Sequence, residues 1–331
     1  MSSDSSGNAA LPCQDMRRRY RKKLFVIVIF SLVAGMVYWL YQYDHRIDTS
    51  ADDLLKEALL ECYKTKPQIR GQLHSDGPTI YAITPTYSRP VQKAELTRLS
   101  HTFMLVPDFH WIIVEDAPSP TSLVTKLLLR SGIPHTQLVA ATPKKWKLKE
   151  KDANWKYPRG VIQRNRALEW LRENLDANRD KGVVYFADDD NAYSLEIFEE
   201  MRSTKGVSVW PVGLVGGLMV EKPLLNATTG RVAGWNSAWK PERPFPIDMA
   251  GFAINLELLL HHPEAKFSFD VEGGYQESEI LRHITTRDKL EPKADKCTKV
   301  YVWHTRTEPP KLNQEQLLQK KGKRSDEGME V

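Results

Sequence analysis

The sequence predicts an α/β fold in which a mostly parallel, Rossmann-like sheet follows a single transmembrane helix. Three observations carry the prediction: an uncharged run near the amino terminus, alternating apolar and amphipathic segments from Thr79 onward, and acids placed where two apolar runs stop. Taken in order, residues 24–41 (LFVIVIFSLVAGMVYWLY) carry no charge. As a helix they would span about 27 Å, close to the hydrocarbon thickness of a thin bilayer. Tyr38, Trp39, Tyr41 and Tyr43 gather at the far end, where aromatic rings favour the interface. Arg17, Arg18, Arg19, Arg21, Lys22 and Lys23 precede the run, so the positive-inside rule keeps a tail (1–23) in the cytosol and sends the body outward or into a lumen. The run is long for a cleaved signal and no small-x-small site follows it, so 24–43 reads as a signal anchor.

Residues 44–78 are polar and read as a stem ending in Pro67, Gly71, Gly77 and Pro78. Leu55, Leu59 and Cys62 fall at i, i+4 and i+7, one apolar stripe that wants a partner helix. A parallel pair would bring two copies of Cys62 together, and an oxidising lumen would let them form an interchain disulfide. From Thr79 the pattern becomes strand (79–84), helix (about 91–104, with Leu96, Leu99 and Phe103 on one side), strand (110–117), helix (near 120–130) and strand (136–142). A polar stretch at 143–158 leads into a helix from about 162 to 175 and the strand VVYFADDD at 183–190. Such alternation implies parallel strands covered on both faces.

Composition excludes several classes. The 331 residues hold 47 Lys+Arg against 42 Asp+Glu, a net charge of +5. Most of that excess sits in 1–23, so the body is nearly neutral, which argues against nucleic acid as a partner. Nine Trp, twelve Tyr and ten Phe exclude a disordered chain, and three Cys cannot build a dense disulfide scaffold.

The chemistry collects at strand ends, where open α/β sheets bind ligands. Asp116 closes the second predicted strand, and Asp188, Asp189 and Asp190 close the fourth. Four carboxylates on one rim repel each other, and a hard divalent cation bridging them to phosphates is the simplest remedy. A solvated loop or helix cap would account for the triple acid without any ligand.

At this point the chain resembles a known family, the animal beta-1,3-glucuronyltransferases of glycosyltransferase family 43. The likeness rests on ITPTYSRPVQKAELTRLS (83–100), WIIVEDA (111–117), PRGVIQRN (158–165), VVYFADDDN (183–191), SVWPVGLVGG (208–217), RPFPIDMAGFA (243–253), GGYQES (273–278) and VWHTRTE (302–308). It implies a GT-A type fold, a UDP-sugar-binding half (79–191), and an acceptor-binding half with a dimer-contacting tail (192–331). It further implies Mn2+, UDP-glucuronic acid as donor, a Golgi membrane location and a homodimer.

Carried over by position, the resemblance implies that Asp190 binds the metal, that Asp188 and Asp189 meet the donor's sugar and ribose, and that Asp116 meets the uracil with Tyr87 stacking nearby. Arg159 and Arg164 suit the donor's phosphate or sugar carboxylate. His304 and Arg306, two apart on an expected strand, would share a face and grip the diphosphate. Glu277, opening a predicted helix, is implied as the catalytic base of an inverting displacement. Glu221, Arg243 and Asp248 are implied acceptor contacts, with Trp239 as a platform for a sugar face. Gln314 resembles a residue that reaches into the partner's acceptor site. Asn226-Ala-Thr is an Asn-x-Thr glycosylation sequon in an expected loop. Cys297, near the last strand, is expected to be unpaired.

Family members divide by acceptor. PVGLVGG and the tail KLNQEQLLQKKGKRSD resemble the branch acting on the galactosyl-galactosyl-xylosyl linker of proteoglycan core proteins, whereas GGYQES resembles the branch building the HNK-1 epitope on N-acetyllactosamine. The balance favours the linker branch. A non-catalytic carbohydrate-binding relative would keep the fold while having no need of Glu277, Asp190 and His304, all present here. A metal-dependent phosphatase or nuclease would need further ligands or a nucleophile motif that the sequence lacks.

Overall fold

The computed structural model describes residues 31–40, 77–147 and 157–331. Of the expected anchor at 24–43, residues 31–40 form a helix with exposed side chains. Among the described residues no helix is long and apolar enough to cross a membrane. The tail at 1–23, the flanks of the anchor, and the stem with Cys62 lie outside the described residues.

From Thr79 the chain runs β1 (Thr79–Thr86), α1 (Gln92–Phe103), β2 (Phe109–Glu115), α2 (Ser122–Ser131), β3 (His135–Val139), α3 (Val161–Asn174) and β4 (Gly182–Phe186). It continues through β5 (Ala192–Tyr193), α4 (Leu195–Arg202), β6 (Val207–Val209), β7 (Val212–Gly213), β8 (Val220–Leu225), β9 (Val232–Asn236), β10 (Phe252–Asn255), α5 (Leu256–Leu260), α6 (Gln276–Leu281), β11 (Glu291–Pro292), β12 (Val302–Trp303) and α7 (Asn313–Gln319). The main sheet has the order β11-β6-β10-β4-β1-β2-β3.

Strands β4, β1, β2 and β3 are mutually parallel, as the alternation predicts. The sheet is not parallel throughout: β10 runs antiparallel between β4 and β6. A second sheet, β5-β12-β7-β8-β9, is built from residues after the acidic triplet. β10 thus stitches the later half of the chain directly onto the earlier half.

Side-chain alternation along the central strands separates two buried layers. Ile80, Ala82, Trp111, Ile113, Val183 and Tyr185 face one way and pack against Leu96, Leu99 and Phe103 of α1 and Ile197, Phe198 and Met201 of α4. Tyr81, Ile83, Ile112, Val114, Val184 and Phe186 face the other way and pack against Ala167, Leu168 and Leu171 of α3. Burial on both faces is why these strands read as nearly continuous apolar runs.

Cys297 is unpaired and buried, its thiol pushed up to about 12 by loss of solvent. It ends a left-handed turn, Ala294–Cys297, with φ between 52° and 61°.

Candidate active site

Because β1, β2 and β4 are parallel, their carboxyl ends share one edge, and the chain leaves that edge through Thr86, Asp116 and 188–190. Asp116 N donates to Thr86 O at 2.8 Å and Ala187 N to Ile83 O at 2.9 Å, so each exit loop is tied to the central strand.

The four rim carboxylates do not simply repel one another, as the sequence suggested; three have partners. Asp188 pairs with Arg164 of α3. Asp189 is buried, with Arg89 at 2.7 Å on Oδ1 and the Thr86 hydroxyl donating to Oδ2 at 2.7 Å. Burial still pushes its carboxyl up to about 6, against the pull of Arg89 and Thr86. Asp116 Oδ1 accepts from Thr142 N at 2.7 Å and lies 3.8 Å from Lys147 Nζ. Asp190 differs. Its backbone carbonyl accepts from Arg98 Nη2 at 2.8 Å and Thr305 Oγ1 at 2.5 Å. Its carboxylate has no donor or ion pair among the described residues, and burial and neighbouring Asp188 raise its pKa.

That donor set fits a divalent cation. A half-buried carboxylate held by its own backbone, with no direct ion pair among the described residues, is a hard oxygen donor suited to a divalent cation. Asn191 Oδ1, next in the chain, is also buried without a donor among the described residues. No group of three or more His, Cys, Asp or Glu could cage a metal among the described residues. A cation here would draw its remaining ligands from water and substrate phosphate, as magnesium-type sites do.

Arg164 is buried, donates Nη1 to Arg159 O at 3.0 Å, and keeps Nε without a partner among the described residues. Gly160 makes room for it: with φ +73° it caps α3 in the left-handed region, and an added Cβ would collide with the Arg164 guanidinium. Gly160→Ala should therefore destabilise the fold by about 1–3 kcal/mol from backbone strain and displaced packing. Thermal melts would check this; an unchanged melting temperature would contradict the close packing. Arg159 is exposed at the mouth, and so is Tyr87, with 48% of its surface accessible.

Glu277 lies second in the six-residue helix α6. Its neighbours are fixed: Gln276 Nε2 donates to Ser268 O at 2.5 Å, and Ser278 Oγ donates to Phe245 O at 3.2 Å. The helix therefore cannot rotate to carry Glu277 elsewhere. Desolvation raises its carboxyl to about 7, its own backbone N–H and the charges of Arg243 and Arg164 pull down, and Asp248 pushes up. Asp248, Arg243 and Arg164 are thus near enough to act on the Glu277 carboxyl electrostatically.

Asp248 accepts from Ala250 N at 2.9 Å, and its other oxygen lies 3.2 Å from His304 Nδ1. This pair, which holds the His304 imidazole above its usual pKa, joins one residue expected on the donor side to one expected on the acceptor side. Arg243 is buried and donates to Lys240 O and Gly274 O. Glu221 is buried and accepts from Ser237 Oγ at 3.0 Å and Ala238 N at 3.3 Å, steadying the loop that presents Trp239, 54% exposed.

One expectation does not survive. The last strand stops at Trp303, so His304 and Arg306 are not on a strand, and Arg306 is exposed. His304 is positioned instead by its N–H bond to Gly213 O at 2.9 Å. Gln314 lies on α7, which buries no residue, and is exposed. Asn226 is exposed in the β8–β9 turn, where its Oδ1 accepts from Thr228 N and Thr229 N, both at 2.9 Å.

Sequence reasoning missed Arg89 and Thr86, although both flank Tyr87 in TPTYSRP. It also missed the floor, where Tyr185 Oη and Trp210 Nε1 both donate to Ala250 O, at 3.0 and 2.8 Å. Trp146 and Phe269 stack at 4.6 Å with planes 3° apart, joining the segment after β3 to the loop before α6.

A strand edge whose Asp190 carboxylate has no donor or ion pair among the described residues, together with a Glu277 carboxyl raised to about 7, is suited to moving a group from an activated donor to an acceptor hydroxyl. The protein is a glycosyltransferase: the family model "Glycosyltransferase family 43" matches residues 99–308. The chain belongs to that family.

It is 61% identical over 258 residues (77% of this chain, 84% of the relative) to galactosylgalactosylxylosylprotein 3-beta-glucuronosyltransferase I of Drosophila melanogaster. Identity is 48% over 332 residues, covering 94% of this chain and 98% of the relative, to galactosylgalactosylxylosylprotein 3-beta-glucuronosyltransferase 3 of Homo sapiens. It is 56% over 237 residues, 71% of each chain, to the human protein of that name numbered 1. Solved structures align more distantly: S. aureus TarS 1-349 in complex with UDP-GlcNAc shares 16% identity at a TM-score of 0.47, over 70% of this chain and 60% of its own.

Proposed function

We propose that the protein is an inverting beta-1,3-glucuronosyltransferase that moves glucuronic acid from UDP-glucuronic acid to the terminal galactose 3-hydroxyl of galactosyl-galactosyl-xylose on proteoglycan core proteins. The names of the relatives and their coverage of this chain support the linkage-region acceptor. The observation that carries the chemistry is the contrast between Asp190, at the strand edge with no donor or ion pair among the described residues, and Glu277, whose carboxyl is raised to about 7.

In this reading Asp190 would hold a divalent cation, manganese, whose charge would offset that building on the departing diphosphate. Tyr87 and Asp116 hold the nucleoside end. Arg164, with Asp188 fixing its plane and Nε still free among the described residues, meets the donor's anionic part, as does Arg159. His304, whose imidazole Asp248 holds above its usual pKa, meets the diphosphate. Glu277 takes the proton from the acceptor hydroxyl as that oxygen attacks the anomeric carbon from the face opposite the leaving group. Glu221, Arg243, Asp248 and Trp239 orient the acceptor. The fold is of the GT-A type, the body lies in the Golgi lumen behind the anchor at 24–43, and two copies associate, Gln314 serving the partner's site.

The base must be ionised to act, and its carboxyl titrates at about 7. Being raised, it is protonated below that value and ionised above it, so kcat/KM for the acceptor should fall as pH drops through about 7. A profile flat between pH 5 and about 7.5 would contradict the assignment.

Incubating the protein with UDP-glucuronic acid and manganese, and offering galactosyl-galactosyl-xylose beside N-acetyllactosamine, tests the reading as a whole. Preferential transfer to the first is expected. Preference for the second would move the protein to the other acceptor branch, and no transfer to either would remove the activity.

A further inference from the structure

We propose that Arg89 is a positioning residue for the nucleoside half of the donor, locking the exposed Tyr87 ring and the buried Asp189 carboxylate into one rigid clamp. This deepens the donor-site reading above and rests on it.

The geometry is particular to Arg89. Its Cζ lies 4.5 Å from the Tyr87 ring centroid, and its Nη1 donates to Tyr87 O at 3.1 Å. Its Nη2 lies 2.7 Å from Asp189 Oδ1 and also pairs with Glu95 of α1. Glu95 and Asp189 are 4% and 6% exposed, so one guanidinium neutralises two buried acids. The free oxygen of Asp189 is met by the Thr86 hydroxyl, which in turn accepts from Gln92 Nε2 at 3.2 Å.

A planar cation can fork to two carboxylates, reach a carbonyl and lie against a ring at once; a lysine ammonium cannot. One face of Tyr87 is thereby backed by positive charge, while nearly half of its surface stays open for a base. Ordering ring and carboxylate before the donor arrives lowers the entropy cost of binding. The effect belongs chiefly in donor affinity, because Arg89 contacts Tyr87 and Asp189 directly and acts on the Asp190 carboxylate only through space.

The test uses the full chain with manganese, titrated calorimetrically with UDP, uridine monophosphate and inorganic pyrophosphate. Arg89→Lys should keep the fold, weaken UDP and uridine monophosphate about tenfold, in line with a cation–π contact and its hydrogen bonds, and leave pyrophosphate unchanged. KM for the donor should rise by the same factor with kcat within about twofold. Adding Tyr87→Ala to Arg89→Lys should cost less than Tyr87→Ala costs alone, since the two act as a unit.

Should Arg89→Lys fold poorly, Arg89→Gln combined with Glu95→Gln removes one charge of each sign and should show the same selective loss. UDP affinity equal to that of the unsubstituted protein in either folded variant, or equal loss for pyrophosphate, would overturn the proposal. Failure of the unsubstituted protein to bind UDP would instead remove the donor-site reading and the proposal with it.

Discussion

Glu277→Gln is expected to fold normally and to bind UDP normally, while transfer falls by about 10³-fold, within the range general-base removal costs. The substitution keeps size and shape but deletes the site that accepts the proton. Nothing else around it need change. Gln276 and Ser278 anchor α6 through their own hydrogen bonds, and the Glu277 carboxylate supports no other element among the described residues. Its carboxyl is raised mainly by desolvation, and Asp248 adds to it. A structural carboxylate at a helix start would be ionised well below neutrality, steadied by the helix terminus. Turnover within about tenfold of the unsubstituted protein would place the base elsewhere.

Asp190→Asn has the second largest expected effect. UDP binding should lose its dependence on manganese, and transfer should fall by about 10³-fold, several kcal/mol of lost charge stabilisation. Thermal stability should hold or rise, because the carboxylate loses no partner among the described residues and is relieved of repulsion from Asp188. Asp189→Asn makes the contrast. There one of Arg89 and Thr86 loses its buried acceptor and Arg89 loses a charged partner, so the melting temperature should drop. Calorimetric titration of UDP with and without manganese, beside thermal melts, separates the two acids. A manganese-dependent UDP affinity in Asp190→Asn would contradict the role given to it.

The parallel core was legible because its strands are buried on both faces. Runs such as 79–84, 110–117 and 183–190 announce themselves by apolar density, and the observed ends differ by only a few residues. The triplet acids were legible for the same reason, since an apolar strand must release its first charged residues at the rim. The antiparallel insertion of β10 was not, because FAIN follows a turn and not a long helix, and pairing partners leave no mark in so short a run. VYVWHTRTE looked like a strand by composition but pairs only at Val302 and Trp303. The triplet's different fates were hidden too. Which acid turns inward depends on Arg89 and Arg164, more than twenty residues away in sequence, and spacing alone does not reveal such partners.

The central claim is that Asp190 seats a cation against the donor diphosphate with Glu277 facing it. Crystals grown with manganese and UDP, measured at a wavelength where manganese scatters anomalously, test it most directly. The account predicts one anomalous peak within bonding distance of the Asp190 carboxylate and of UDP phosphate oxygens, with Glu277 directed into the same pocket. A peak held by other residues, or Glu277 turned out toward solvent, would contradict it.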